Sequence, residues 1–246
     1  MHKLGETRSR LRHDHLLQTP DTFVRAALPG MVKSVAIVHA APALGAGFTQ
    51  YTAEMEAGGR LGRALGTRFL YVLEGHLQVG QEELGPGGYA LLPAGQPAEV
   101  TAHTASRVAV VEKEYVALKD VDAPQLFVGR ESDVVPTPLM GDEDLQVRQL
   151  LPDDPALDFA VNTMTYRPGA ALSMVEVHVM EHGLLMLEGS GIYRLGESWY
   201  PVTAGDFIWM APYCPQWFGA IGKVPAKYLI YKDWNRHPLA TRGDAR

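Results

Sequence analysis

Phe69-Leu70-Tyr71-Val72-Leu73-Glu74-Gly75 and Gly183-Leu184-Leu185-Met186-Leu187-Glu188-Gly189 read as two copies of one segment. Each is an apolar run of strand length closed by a glutamate and a glycine. The correspondence extends in both directions. Downstream, Gly87-Gly88-Tyr89-Ala90-Leu91-Leu92-Pro93-Ala94-Gly95 aligns with Gly205-Asp206-Phe207-Ile208-Trp209-Met210-Ala211-Pro212-Tyr213. Upstream, the run from Phe48 to Gly58 matches the run from Phe159 to Gly169, and Lys113 falls beside Lys232. A repeat of this extent is a whole small domain. Short apolar runs such as Val108-Ala109-Val110-Val111, punctuated by 25 Gly and 17 Pro, make the chain all-β.

At 46% hydrophobic and 20% charged residues, the 246-residue chain has ample core material and no signature of disorder. The 22 Lys+Arg against 28 Asp+Glu give a net charge of −6, which would repel a phosphate backbone, so nucleic acid is not expected as a partner. Cys214 is the only cysteine, which excludes an internal disulfide and a thiolate zinc site. The N-terminal residues lack the apolar core of a signal peptide, and no apolar stretch has membrane-spanning length. These features predict a cytoplasmic protein with no membrane partner.

In the second half, Glu176-Val177-His178-Val179-Met180-Glu181-His182 carries the chemistry. Strand alternation sets Glu176 and His178 on one face, with His182 on the next strand or turn, so that a carboxylate and two imidazoles converge. Tyr228 and Lys232 share a face of the last strand, where a buried lysine would meet a substrate carboxylate or act as an acid or base. Tyr193 follows Gly189, and either tyrosine suits core filling as well as a site. Trp209 and Trp217 wall the pocket or only pack; Cys214 lacks a neighbouring base in sequence.

A duplicated β-domain with a glycine-closed hairpin followed by Gly87-x5-Pro93-x-Gly95 resembles the cupin superfamily. The resemblance implies two tandem jelly-roll barrels. We expect an N-terminal arm over 1–32, a barrel without metal ligands over 33–137 and a metal-binding barrel over 138–246, with Val121 to Gln149 as the crossover. His13-Asp14-His15 has ligand-like spacing, yet no carboxylate lies at the matching distance, so it reads as a solvated arm packing on a barrel or on a neighbouring subunit.

Cupins usually carry His-x-His-x3/4-Glu-x6-Gly at this place; here the order is Glu176-x-His178-x3-His182-x6-Gly189. The second cupin motif puts the fourth ligand on Gln216. One carboxylate, two imidazoles and an amide oxygen suit Mn²⁺, Fe²⁺ or Ni²⁺ with two positions open. The first repeat serves as an internal control, because its aligned residues are Gly62, Ala64, Arg68 and Ala98, which do not make such a set.

Residues 176–193, Trp199 to Asp206, Pro215-Gln216-Trp217 and Tyr228 to Asp233 resemble the bicupin (S)-ureidoglycine aminohydrolase family. The likeness implies Mn²⁺ on Glu176, His178, His182 and Gln216, and substrate contacts from Tyr193, Tyr228 and Lys232. It also implies hydrolysis of a small substrate, ureidoglycine, to ureidoglycolate and ammonia, with Glu176, Lys232 or a metal-bound water moving protons. A different metal-dependent cupin reaction, isomerase or dioxygenase, and a non-enzymatic binding barrel are the competing readings. Tandem cupins commonly pair sheets, so a homo-oligomer is expected.

Overall fold

A computed structural model of the chain describes residues 5–64, 66–95, 99–234 and 236. Among them the regular elements are β-strands and three short 3-10 turns, and no helix is long and apolar enough to cross a membrane. The chain divides into two compact units. One gathers the chain up to Phe23 with Pro136–Pro152 and Phe159–Trp234; the other gathers Val24–Val135 and Asp153–Asp158, with Arg236.

In the first unit an eight-stranded sheet and a three-stranded sheet enclose a core. The core is legible as a period of two along every strand, because alternate side chains of a strand share a face. Met164 and Tyr166, Leu184 and Met186, Tyr193 and Leu195, Phe218 and Ala220, and Tyr228 and Ile230 all lie in it. Tyr166, Phe218 and Tyr228 interlock, with ring centroids 4.8 Å apart for Tyr166–Phe218 and 5.7 Å for Phe218–Tyr228. The second unit repeats the scheme on one ten-stranded sheet, with Tyr51, Ala53 and Met55, Leu70 and Val72, and Val108 and Val110 inward.

The glycines that close the two repeated runs have a shared reason. Gly75 and Gly189 adopt φ of +81° and +69°, where a side chain is strained. A Cβ would also stand 2.3 Å from the Ala105 carbonyl oxygen at Gly75, and 2.4 Å from that of Pro225 at Gly189.

Of the segment 1–32, the described residues up to Phe23 belong to the first unit and those from Val24 to the second. His15–Gln18 pairs antiparallel with Phe207–Met210, inside the unit that holds the second repeat. Arg8 clamps the turn before that strand through two hydrogen bonds to the fully buried Asp206 carboxylate, at 2.7 and 2.8 Å. Beyond Phe23 the chain changes unit, and Arg25–Ala26 pairs with Val32–Ala40. Phe127–Arg130 plays the reciprocal part by pairing with Gly88–Leu92. Each repeat thus lends its leading strand to an edge that would otherwise leave a row of backbone groups unpaired. His13 is exposed and His15 buried, and both rings approach Asp14 Oδ1, at 3.8 Å from His13 Nδ1 and 2.8 Å from His15 Nδ1.

Candidate metal centre

The site continues the core stripes of the first unit. His182 precedes Leu184 and Met186 in phase, Gln216 precedes Phe218 and Ala220, and Lys232 follows Tyr228 and Ile230. Strand alternation therefore turns all three inward at one end of the core. Glu176 and His178 arrive differently from the sequence expectation. Ser173 to Glu181 is not a regular strand; Glu176 makes an isolated antiparallel bridge to Gln216, with backbone hydrogen bonds of 2.9 Å in both directions. The His178 carbonyl accepts from the Tyr213 N–H at 2.7 Å, which fixes the next turn of the segment.

The four expected ligands meet at His178 Nε2. It lies 2.8 Å from Gln216 Nε2, 3.3 Å from His182 Nε2 and 3.9 Å from Glu176 Oε2. His182 Nδ1 stands 3.2 Å from the Tyr231 carbonyl oxygen, an acceptor, so Nδ1 carries the proton and the Nε2 lone pair faces the site. His178 Nδ1 is buried with no hydrogen-bond partner among the described residues, so the ring's polar contacts lie at the nitrogen where the other groups converge. Two imidazoles, a carboxylate and an amide gathered in this way fit a divalent metal with the amide oxygen turned inward.

Around this cluster lie the other expected residues. The Tyr193 hydroxyl donates to Gln216 Oε1 at 3.2 Å. Tyr228 instead meets the Tyr166 hydroxyl at 2.7 Å, and burial holds Tyr166, Tyr193 and Tyr228 well above the usual phenol range, so all three stay neutral. Lys232 pairs with His182 across the ladder. Burial pushes its amine down, and the Glu176 charge opposes that shift. His182 is held well below the ordinary imidazole range by burial first, then by the positive charge of Lys232. An uncharged imidazole is the form that ligates.

Sequence reasoning missed Tyr166 and Asn162. Both stand on Ala160–Tyr166 in phase with the inward Met164, and a polar Asn on a core stripe was the available signal. Trp217 packs, with its indole N–H on the Leu172 carbonyl at 2.7 Å, and burial pushes the Cys214 thiol up to about 12. Asp14, His15 and Cys214 also bring ligand atoms within 4.8 Å of one another. Both His15 nitrogens there are engaged, by Asp14 at 2.8 Å and the Tyr200 hydroxyl at 2.9 Å, so the trio is satisfied without an ion.

In the second unit Arg68, aligned with His182, is buried and donates to Glu112 Oε1 and to the Gly62 carbonyl at 2.8 Å. Ala98 lies outside the described residues. The alignment of Lys113 with Lys232 is one residue out of phase: Arg68 pairs with Glu112 where His182 pairs with Lys232. Lys113 instead donates to the Asp158 carbonyl at 3.0 Å.

A family model described as a cupin domain matches residues 162–231. The (S)-ureidoglycine aminohydrolase of Arabidopsis thaliana is 39% identical over 243 residues, covering 96% of this chain and 80% of that protein. The Escherichia coli enzyme of the same name is 31% identical over 241 residues, covering 93% and 92%. Among solved structures, the protein Ylba from E. coli superimposes with a TM-score of 0.82 at 28% identity over 94% of this chain and 96% of that one. Oxalate decarboxylase from Bacillus subtilis, with a TM-score of 0.70 at 11% identity over 94% of this chain and 80% of its own, shares the fold. With a cupin fold and relatives of this identity over nearly its whole length, the chain belongs to the (S)-ureidoglycine aminohydrolase family.

Proposed function

We propose that the chain is a Mn²⁺-dependent hydrolase that converts (S)-ureidoglycine and water to (S)-ureidoglycolate and ammonia. The observation that carries this reading is the convergence of Glu176, His182 and Gln216 on His178 Nε2 beside the buried amine of Lys232. Glu176, His178, His182 and Gln216 would hold the metal. When bound, Mn²⁺ supplies Lewis acidity and chelation of a substrate that carries a carboxylate, an amine and a ureido group on one carbon.

The chain's own groups do the rest. Lys232 sets a positive charge against the substrate carboxylate. Tyr193 and Tyr228, both neutral, present hydroxyls as hydrogen-bond donors and exclude water from the floor of the site. In the reaction a C–N bond breaks and a C–O bond forms, so one proton must reach the leaving nitrogen and another must leave the adding water. Glu176 and Lys232 are the groups we assign to those transfers. A single cysteine held as a thiol accords with a cytoplasmic setting.

The test is ammonia release from freshly prepared (S)-ureidoglycine, with and without Mn²⁺. Release that is fast with Mn²⁺, lost on chelation and restored by Mn²⁺ is expected. Release no faster than spontaneous decay, from protein shown to hold one Mn²⁺ per chain, would overturn the reading.

A further inference from the structure

The two units offer a comparison within one chain. Ladder register places Glu112 of the second unit where the first unit has Lys232: Arg68 and Thr49 flank Glu112 as His182 and Ala160 flank Lys232. By the same register Tyr51, opposite Val110, stands where Asn162 stands opposite Ile230. In the second unit these three positions form a closed set. The Tyr51 hydroxyl donates to Glu112 Oε1 at 2.7 Å, and Arg68 donates to the same oxygen from Nε at 2.9 Å. A carboxylate there is neutralised by the cation beside it.

In the first unit the central charge is reversed. Lys232 makes no ion pair among the described residues, and its partner is the neutral amide of Asn162, itself buried. The amide orientation that satisfies both of its ends has the nitrogen donating to the Val161 carbonyl at 3.0 Å and the oxygen accepting from Lys232 Nζ at 3.1 Å. An amide oxygen orients an ammonium without cancelling its charge, whereas a carboxylate would do both. A lysine chain otherwise samples many rotamers, so one acceptor at this point selects among them.

We propose that Asn162 is a positioning residue, which holds the Lys232 ammonium toward the centre formed by Glu176, His178, His182 and Gln216 so that its charge is available to a substrate carboxylate. This rests on the assignment of Lys232 as the carboxylate partner. Asn162 need touch neither metal nor substrate.

The experiment uses Mn²⁺-loaded full-length protein and hydantoate, which keeps the carboxylate and ureido groups of the substrate and lacks its amine. Binding is measured by calorimetry for wild type, Asn162→Leu, Asn162→Ala, Lys232→Ala and the Asn162→Leu/Lys232→Ala double variant, with metal content and folding checked for each. Both Asn162 variants are expected to keep one Mn²⁺ and to bind hydantoate about tenfold or more weakly, the size of one hydrogen bond to a charged group. In the Lys232→Ala background, Asn162→Leu should change binding by less than about twofold, because the group it positions is gone. Ammonia release should lose efficiency through both KM and kcat, since the same ammonium is assigned a proton transfer.

Unchanged hydantoate binding overturns the proposal. So does an equal loss with and without Lys232, or loss of metal and fold in both Asn162 variants, since each makes the residue scaffolding. If hydantoate binding follows the expected cycle while ureidoglycine yields no ammonia, the positioning role stands and the assigned reaction fails. If ammonia is released and the Asn162 variants match wild type, the reverse holds.

Discussion

Replacing Gln216 separates what a ligand's charge does from what its presence does. Its side chain lies 2.8 Å from His178 Nε2 and accepts from the Tyr193 hydroxyl at 3.2 Å. Gln216→Leu removes one of the four proposed ligands and leaves the buried Tyr193 hydroxyl without its acceptor, at a cost of about 1–3 kcal/mol in stability. Metal affinity should fall by more than the roughly 10–100-fold seen when a mere supporting residue of a metal site is lost. Gln216→Glu keeps the shape and a donor oxygen but adds a negative charge. At about 5 Å and an effective dielectric near 20, that charge repels a substrate carboxylate by roughly 3 kcal/mol, or about two orders of magnitude in binding. We therefore expect Gln216→Glu to retain Mn²⁺ with a much higher KM, and Gln216→Leu to lose Mn²⁺. Metal content by elemental analysis and ammonia release, run side by side, decide it. Full metal and full activity in both variants would refute the reasoning and remove Gln216 from the site.

Further outcomes follow from other parts of the molecule. Burial pushes His39 down to about 3, so the folded chain leaves it neutral while the unfolded chain protonates it near 6.5. Its contribution is full above pH 6.5 and is lost at about 1.4 kcal/mol per pH unit as pH falls toward 3; urea unfolding against pH should show that slope, and His39→Gln should flatten it. Arg8→Ala deprives the fully buried Asp206 of its clamp, and because Arg8 is 42% exposed, screening limits the loss to about 1–2 kcal/mol. For a chain of this size that lowers Tm by roughly 2–8 °C in a calorimetric scan, and an unchanged Tm would show the clamp to be idle. Light scattering should give a mass above that of the 26.9 kDa chain, and a clean monomer at working concentration would contradict association through the barrels.

The parts of the fold that were legible are those written in local pattern. The unbroken apolar runs Phe69–Leu73 and Gly183–Leu187 marked buried strands, and Gly75 and Gly189 marked tight turns that the structure explains by positive φ and close carbonyls. The His15–Gln18 strand was invisible, because its partner Phe207–Met210 lies some 190 residues away and nothing in four residues encodes so distant an edge. Lys113 shows the other weakness. Pairing it with Lys232 by likeness was one residue out, and a slip of one residue moves a side chain to the opposite face, so Glu112 is the true counterpart. At the site, residue types and spacing named Glu176, His178 and His182, and the resemblance to cupins added Gln216. Asn162 escaped notice because its role depends on a neighbouring strand.

The central claim is that one metal sits in the first unit, on these four residues, and that the other unit has closed its own position with Arg68 and Glu112. Anomalous diffraction at the manganese edge from Mn²⁺-loaded crystals tests this directly. One peak per chain is expected, within ligand distance of Glu176, His178, His182 and Gln216, and none beside Arg68. A peak at Arg68, a peak among Asp14, His15 and Cys214 in place of the predicted one, or no peak at all would contradict it.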